Sequence, residues 1–311
     1  MRKYISGILV IAIMVGVFAA SAAGTSAKAD AQYDLDDPEQ RLAYEMTFLT
    51  GSRSMERTAF IVDKSANLTI FSTGKADIHI VIHDLRTNMT PLLGFSIKSQ
   101  LGSASTLLNA GATTNITYKV DGMMLSDEDI DAINAIKSHL ERLAALFKKG
   151  CSLEYSDIDN PVFRNNLQFL DICMPQFIAD CLLVDSKGSN SSIDYCVADV
   201  AKKNPFDYKG KNVEEFYAHK MKVLLLSAAL GMVPGKEWTG RYDANGGYLV
   251  VRKDGEIVCY HFYNQNDVED YLYKNTRFER ASRTRYGFGK LYRGEDGSVY
   301  MKLNLQIRFK K

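Results

Sequence analysis

Lys75-Ala76-Asp77-Ile78-His79-Ile80-Val81-Ile82-His83 and, a short interval later, Gly94-Phe95-Ser96-Ile97-Lys98-Ser99-Gln100 read as two strands of a hairpin. Side chains alternate along a strand, so Ile78, Ile80 and Ile82 share one face and Asp77, His79 and His83 the other. In the second strand Phe95 and Ile97 share a face, opposite Ser96, Lys98 and Gln100. A turn centred near Thr87–Asn88 sets Asp77 across from Lys98 and His79 across from Ser96, with Cβ atoms ~5 Å apart. One face then builds core, and the other gathers a carboxylate, an ammonium and an amide. The same pattern also suits a solvated sheet face whose surface ion pair contributes ~0–1 kcal/mol.

The chemistry such a face suits is phosphodiester hydrolysis. A carboxylate at a strand end supplies the hard oxygen ligand that Mg²⁺ prefers, with waters and a phosphate completing its shell. A lysine one strand away can position a water and stabilise charge in the transition state. His79 and His83 are too far apart on a strand (~13 Å) to share an ion, so His79 at most assists.

Working outward, strands are predicted at Thr58–Val62, Leu68–Ser72, Asp77–His83 and Leu93–Lys98, after a short helix over Pro38–Thr50. A small helix (Ser103–Ala110) and a strand (Asn115–Val120) follow; the Ser103–Asn115 stretch suits phosphate contacts or a capped helix equally. Ser126 opens one amphipathic helix with Asp127, Glu128 and Asp129 in its first turn. Its stripe is Ile130, Ile133, Ile136, Leu140, Leu143 and Phe147, and Gly150 ends it. Further helices are expected over Pro161–Val184 (kinked at Pro175), Ser191–Lys203 and Val213–Leu230. Met232, Trp238 and the leucines of Val223–Leu226 are assigned to core. Gly247–Arg252 and Glu256–Phe262 form a β-hairpin around Lys253-Asp254-Gly255. A helix over Asp267–Tyr273 carries an Asn266…Glu269 capping box, and Val299–Phe309 is a final strand. The expected fold class is α/β (α+β): a mixed-sheet core, a helical middle region and a β-rich C-terminal part. The divisions are 1–29, 30–125, 126–235 and 236–311.

The 311 residues are 46% hydrophobic and 24% charged, as in a globular protein. Thirty-eight basic residues against 37 acidic ones leave a net charge of +1, so any surface for a polyanion must be local. One such cluster exists, over Tyr271–Arg293: Lys274, Arg277, Arg280, Arg283, Arg285, Lys290 and Arg293 stand against Glu279 alone. Tyr273, Phe278, Tyr286, Phe288 and Tyr292 interleave with them. That grouping suits DNA backbone contact and guanine recognition, or a solvated basic surface. Five cysteines, Cys151, Cys173, Cys181, Cys196 and Cys259, are odd in number and lack zinc spacing, which reads as a reduced cytosolic fold. The N-terminus points the other way. Arg2 and Lys3 precede an apolar run from Ile5 to Ala20, with A-x-A sites at Ala20-Ser21-Ala22 and Ala27-Lys28-Ala29, the layout of a secretory signal or membrane anchor. Walker, Rossmann, HExxH, GxSxG and EF-hand motifs are absent from the sequence.

Beyond the hairpin, Leu101-Gly102-Ser103, Ser105-Thr106-Leu107-Leu108-Asn109-Ala110, Thr114-Asn115 and Tyr118-Lys119-Val120 extend the pattern. So do Gly247-Tyr248-Leu249-Val250-Val251, Asp254-Gly255-Glu256, Tyr271-Leu272, Thr276-Arg277-Phe278-Glu279 and Arg285-Tyr286-Gly287-Phe288-Gly289-Lys290. With these, the chain from roughly Thr58 to Phe309 resembles the HpaII family of type II restriction endonucleases, within the PD-(D/E)xK nuclease superfamily. That resemblance implies a helix–strand–strand–strand–helix–strand core and Mg²⁺-dependent cleavage of double-stranded DNA at a short CCGG-like palindrome. It makes Asp77 the metal-binding aspartate and Lys98 the catalytic lysine. Ser96 stands where the wider superfamily has an acid, and Gln100 supports the site. Glu39 or Glu45 is the candidate upstream acid. Arg277, Arg280, Arg283, Arg285 and Lys290 are the implied DNA contacts. A cognate cytosine methyltransferase is the implied genetic partner, and a homodimer on DNA accounts for symmetric cutting. The alternatives are a non-catalytic DNA-binding relic, an exported or membrane-tethered nuclease, or an unrelated secreted binding protein.

Overall fold

A computed structural model describes residues 59–62, 67–70, 76–81, 92–99, 105–188, 190–251, 257–261, 265–280 and 288–310. The expected helix over Pro38–Thr50, the Thr87–Asn88 turn, His83, Gln100, Arg283, Arg285, Cys259 side-chain chemistry and the N-terminal apolar run lie outside the described residues.

The quoted hairpin sits in a mixed six-stranded sheet. Its strands are β1 (Ala59–Val62), β2 (Asn67–Ile70), β3 (Ile78–Val81), β4 (Leu92–Ser99), β8 (Gly247–Val251) and β9 (Ile257–His261), in the order β1-β2-β3-β4-β8-β9. Neighbours are antiparallel except β4 and β8, which run parallel. The β3–β4 register pairs Ile78 with Phe95 and His79 with Gly94. It is offset by two residues from the expected pairing: Asp77 lies opposite Ser96 rather than Lys98, and His79 opposite Gly94 rather than Ser96. An offset of two preserves strand parity, so Asp77, Ser96 and Lys98 still share a face.

The expected β8–β9 hairpin forms, and its first strand completes the centre of the same sheet. The junction is tight. Asn245 accepts a hydrogen bond from Gly94 N (2.7 Å), and Gly246 N donates to Gly94 O (2.6 Å). A Cβ on Gly246 would stand 2.6 Å from the Phe95 ring and 2.8 Å from Gly94 O, so glycine is required for this close approach.

Two smaller antiparallel sheets continue the molecule. One has the order β10-β13-β5: Thr276–Phe278, Ile307–Phe309 and Thr106–Leu108. The other has the order β11-β12-β6-β7: Leu291–Arg293, Val299–Asn304, Asn115–Asp121 and Ser152–Ile158. The helices are α1 (Asp127–Ala135), α2 (His139–Lys148), α3 (Pro161–Leu170), α4 (Met174–Asp185), α5 (Ile193–Lys203), α6 (Val213–Leu230) and α7 (Gln265–Asn275). α6 is apolar around most of its circumference because it packs between α5 and α7 and against β5. The fold is thus mixed α/β, as expected, with Met232 and Leu224–Leu226 in its core and Trp238 packed at its margin.

Several elements differ from the sequence expectation, each for a tertiary reason. Ser103–Ala110 holds strand β5 instead of a helix, because Leu107 and Leu108 are buried and Thr106–Leu108 pairs with β13. The Ser126 helix forms with its capping box but breaks after Ala135. Arg142, buried, donates to Asn134 O (2.9 Å) and Ile136 O (2.6 Å), carbonyls that would otherwise need helical partners, and to Gly289 O (3.0 Å) across the fold. Phe147, expected in the buried stripe, is 38% exposed. Pro161–Val184 is two helices bent by 101°, and Pro175 sits in the first turn of α4, where its missing N–H costs nothing. α7 starts at Gln265, which places Asn266 inside the helix; Gln265 Nε2 bonds Glu269 Oε1 (2.7 Å) in place of the capping box. The last apolar run divides into β12 and β13, in different sheets, with Leu305 N donating to Thr114 O across the division.

Among the described residues no single helix is long and apolar enough to cross a membrane; α3 and α4 pass that test only as a sharply bent pair. Cys151, Cys173, Cys181 and Cys196 are free thiols.

A partly buried acid is expected to make stability depend on pH. Burial pushes the Asp180 carboxyl from the ordinary 3.8 up to about 6, against the opposing pull of Lys203. Its Oδ2 is buried without a hydrogen-bond partner among the described residues. Because the folded value is raised, the neutral acid is favoured in the fold. Stability is therefore full below about 4 and falls as pH rises through about 6. Asp180→Asn is expected to remove that slope and to gain up to about 2 kcal/mol relative to the parent on the alkaline side. Thermal melts from pH 4 to 8 of both proteins check it; parallel curves would show that Asp180 does not cause the slope.

Candidate active site

Asp77 precedes β3 and is exposed, but its position is fixed. Its N–H donates to Phe95 O (2.8 Å), and its Oδ2 accepts from Ile97 N (2.6 Å) and the Ser96 hydroxyl (3.1 Å). The carboxylate is thus clamped to the partner strand at the point where Asp77 faces Ser96. Among the described residues both bonds fall on Oδ2. Ser96 is buried, so its hydroxyl acts as a fixed donor beneath the exposed carboxylate.

Lys98, half-buried, continues along the same face. Its Nζ lies 5.8 Å from the centroid of the Tyr248 ring. Tyr248 pairs in register with Ser96 across the parallel β4–β8 junction. Burial drives its phenol well above the ordinary range; a hydrogen bond with Ser96 opposes the shift and the nearby Asp77 charge adds to it. The phenol is therefore a neutral donor, and its OH is 3.5 Å from Ala229 O of α6. Sequence spacing missed Tyr248 because a parallel partner from far along the chain leaves no local signal. Its only trace was its place in the β8 motif.

The structure brings together Asp77, Ser96 and Lys98. Gln100, Glu39 and Glu45 lie outside the described residues. Among the described residues no group of three or more His, Cys, Asp or Glu is arranged to hold a metal. The described donors fit an ion that tolerates a single carboxylate, keeps several waters and takes further oxygens from a phosphate, which is the habit of Mg²⁺.

The basic cluster is more internally committed than its sequence suggests. Arg277 pairs with Glu279 (2.5 Å), and Arg293 pairs with Asp127 (2.6 Å) while bonding Leu125 O and Gly297 O. Arg280 bonds Asp185 through Oδ2 (3.4 Å) and the main-chain oxygen (2.9 Å). Phe278 and Phe288 are core residues, while Tyr292 stacks on Tyr300 near Lys302. Lys290 is exposed. Asp185 is 3% exposed, and burial raises its carboxyl against the pull of Arg280. Arg280→Ala is therefore expected to cost about 2–3 kcal/mol of stability by leaving that acid without its charge partner. Lys290→Ala should leave stability unchanged and, if Lys290 meets a phosphate, reduce the salt slope of DNA binding by about one. Melting curves and salt-dependent binding isotherms separate the two roles; an Arg280→Ala protein that melts with the parent would contradict the structural one.

The class of protein follows from comparison of the whole chain. Residues 43–309 match a family model described as HpaII restriction endonuclease, which makes the chain a DNA-cleaving hydrolase of restriction–modification systems. It is 43% identical over 243 residues to the type II restriction enzyme HpaII of Haemophilus parainfluenzae, an alignment covering 78% of this chain and 67% of that protein. The chain belongs to the HpaII restriction endonuclease family. No solved structure matches it.

Proposed function

We propose that this chain is a type II site-specific deoxyribonuclease that cuts double-stranded DNA at a short CCGG-like palindrome, with Mg²⁺ and a PD-(D/E)xK-type core. The observation that carries the site assignment is the clamped Asp77 carboxylate beside Ser96, with Lys98 on the same face. When bound, the ion would supply charge neutralisation at the scissile phosphate and a more acidic water. Asp77 would hold it through its carboxylate. Lys98 directs its ammonium to the attacking water and to the negative charge that grows on the phosphate oxygens. Ser96 donates to Asp77 and fixes its orientation, in the position where related sites carry an acid. Gln100 and one upstream acid, Glu39 or Glu45, complete the set.

In this scheme residues 30–125 form the nuclease core, 126–235 a helical region and 236–311 the DNA-contacting part; the core sheet also recruits β8 and β9 from that last part. Lys290, Arg283 and Arg285 contact DNA, with Arg277 and Arg280 shaping the surface through their acidic partners. A palindrome has two equivalent scissile bonds, which a homodimer or two successive binding events would serve. The genetic partner is a cytosine methyltransferase and the working compartment is the cytoplasm, where incoming DNA is met. The 1–29 segment is a signal-like or anchor sequence by composition.

The test is incubation of the full chain with a plasmid of known sequence in Mg²⁺ or EDTA. Discrete fragments mapping to CCGG, seen only with the ion and blocked by cytosine methylation of the site, are expected. Random degradation would remove the specificity. Ser96, a neutral hydroxyl where the wider superfamily has an acid, favours a second reading, a DNA-binding relic, and binding without cutting would select it.

A further inference from the structure

We infer that Tyr248 is a positioning residue for Lys98: the face of its ring receives the ammonium and keeps it beside Asp77. This rests on the assignment of Lys98 to catalysis. A lysine has four rotatable bonds, and holding it in one conformation costs rotamer entropy unless a contact offsets it. Among the described residues no carboxylate pairs with Lys98, whereas the Tyr248 ring lies within cation–π range of Nζ at 5.8 Å. An aromatic face attracts the charge without neutralising it, so the ammonium stays available to a substrate phosphate. A carboxylate at that position would compete with the phosphate.

The ring itself is held on several sides. Tyr248 is 1% exposed, its hydroxyl is 3.5 Å from Ala229 O, and its ring centroid lies 6.5 Å from that of Phe309. The Asn245–Gly94 and Gly246–Gly94 bonds set the β8 register that brings Tyr248 beside Ser96. Tyr248 therefore touches both halves of the site: Ser96, which orients Asp77, and Lys98.

Single-turnover cleavage and DNA affinity without divalent metal test this in the full chain. Tyr248→Phe keeps the ring and should cleave within about threefold of the parent. Tyr248→Met has similar bulk and no aromatic face, and should lose about tenfold in the cleavage rate constant with DNA affinity unchanged. In a Lys98→Ala background, Tyr248→Met should cost nothing further. If Tyr248→Met does not fold, a fluorinated phenylalanine at position 248 keeps the shape while depleting charge from the ring face, and should lose rate similarly. A parent-like rate in either faceless variant overturns the inference, and so does an equal loss in Tyr248→Phe. Normal cleavage by Lys98→Ala alone would instead overturn the assignment of Lys98, a separate result.

Discussion

Lys98→Ala is expected to lower the cleavage rate constant by about 10³-fold while leaving DNA affinity within a few-fold of the parent. The magnitude is that of losing one preorganised group aimed at transition-state charge, about 10²–10³ or somewhat more in a site with few other cations. The split between rate and binding follows from geometry. Lys98 is half-buried on the sheet face beside Tyr248, and on the proposed assignment it meets one phosphate at the reacting centre instead of tracking the DNA backbone. Losing a single backbone contact would change affinity and salt slope together. Single-turnover cleavage of a supercoiled plasmid gives the rate, and anisotropy with a labelled duplex in EDTA gives the affinity. A protein that binds less tightly but cuts at full speed once saturated would remove Lys98 from the chemistry. Melting temperature should fall by no more than a few degrees, because the ring contact is the one side-chain interaction of Lys98 seen among the described residues, and a half-buried cation–π pair contributes about 0.5–2 kcal/mol.

Asp77→Asn should be nearly as damaging, with a different signature. Asparagine preserves shape, and its oxygen can still accept from Ile97 N and the Ser96 hydroxyl, so strand pairing survives. It removes the negative charge from the one carboxylate described at the site. A hard divalent ion loses its anionic ligand, and the cleavage rate is expected to fall about 10²–10³-fold at moderate Mg²⁺. Raising Mg²⁺ should recover part of the loss, since weakened binding is offset by mass action. Lys98→Ala should show no such recovery. Titrating Mg²⁺ against single-turnover rate for both variants separates ligand from charge stabiliser. An Asp77→Asn enzyme whose half-saturating Mg²⁺ matches the parent would show that Asp77 does not hold the ion.

Much of the local structure was legible from residue pattern. α6 runs over Val213–Leu230 as expected, α5 and the Ser126 cap form at their signals, and β3, β4, β8 and β9 lie where alternation and turn residues put them. These rest on interactions within a few residues: capping bonds, period-two burial and tight turns. Failures came where distant partners decided. Ser103–Ala110 has polar, small residues compatible with a capped helix, but β13 offers Leu107 and Leu108 a sheet and a buried face. The 126–150 stretch carries continuous helical periodicity, yet Arg142 and Asn134 reach Gly289 and Leu291, and those bonds reward a break.

The candidate hairpin divides in the same way. Alternation alone placed Asp77, Ser96 and Lys98 on one face, because a strand's side-chain period is two whatever its neighbour does. Pairing register is a property of two strands and their surroundings, so only the tertiary structure decided that Asp77 faces Ser96 and that its carboxylate is clamped by the Ile97 amide. The same holds for Tyr248, which arrives at Ser96 through a parallel pairing, and for Arg277, Arg280 and Arg293, whose charges meet acids that sequence distance hid. Composition and period act along the chain, and partners are chosen across space by burial and hydrogen bonding.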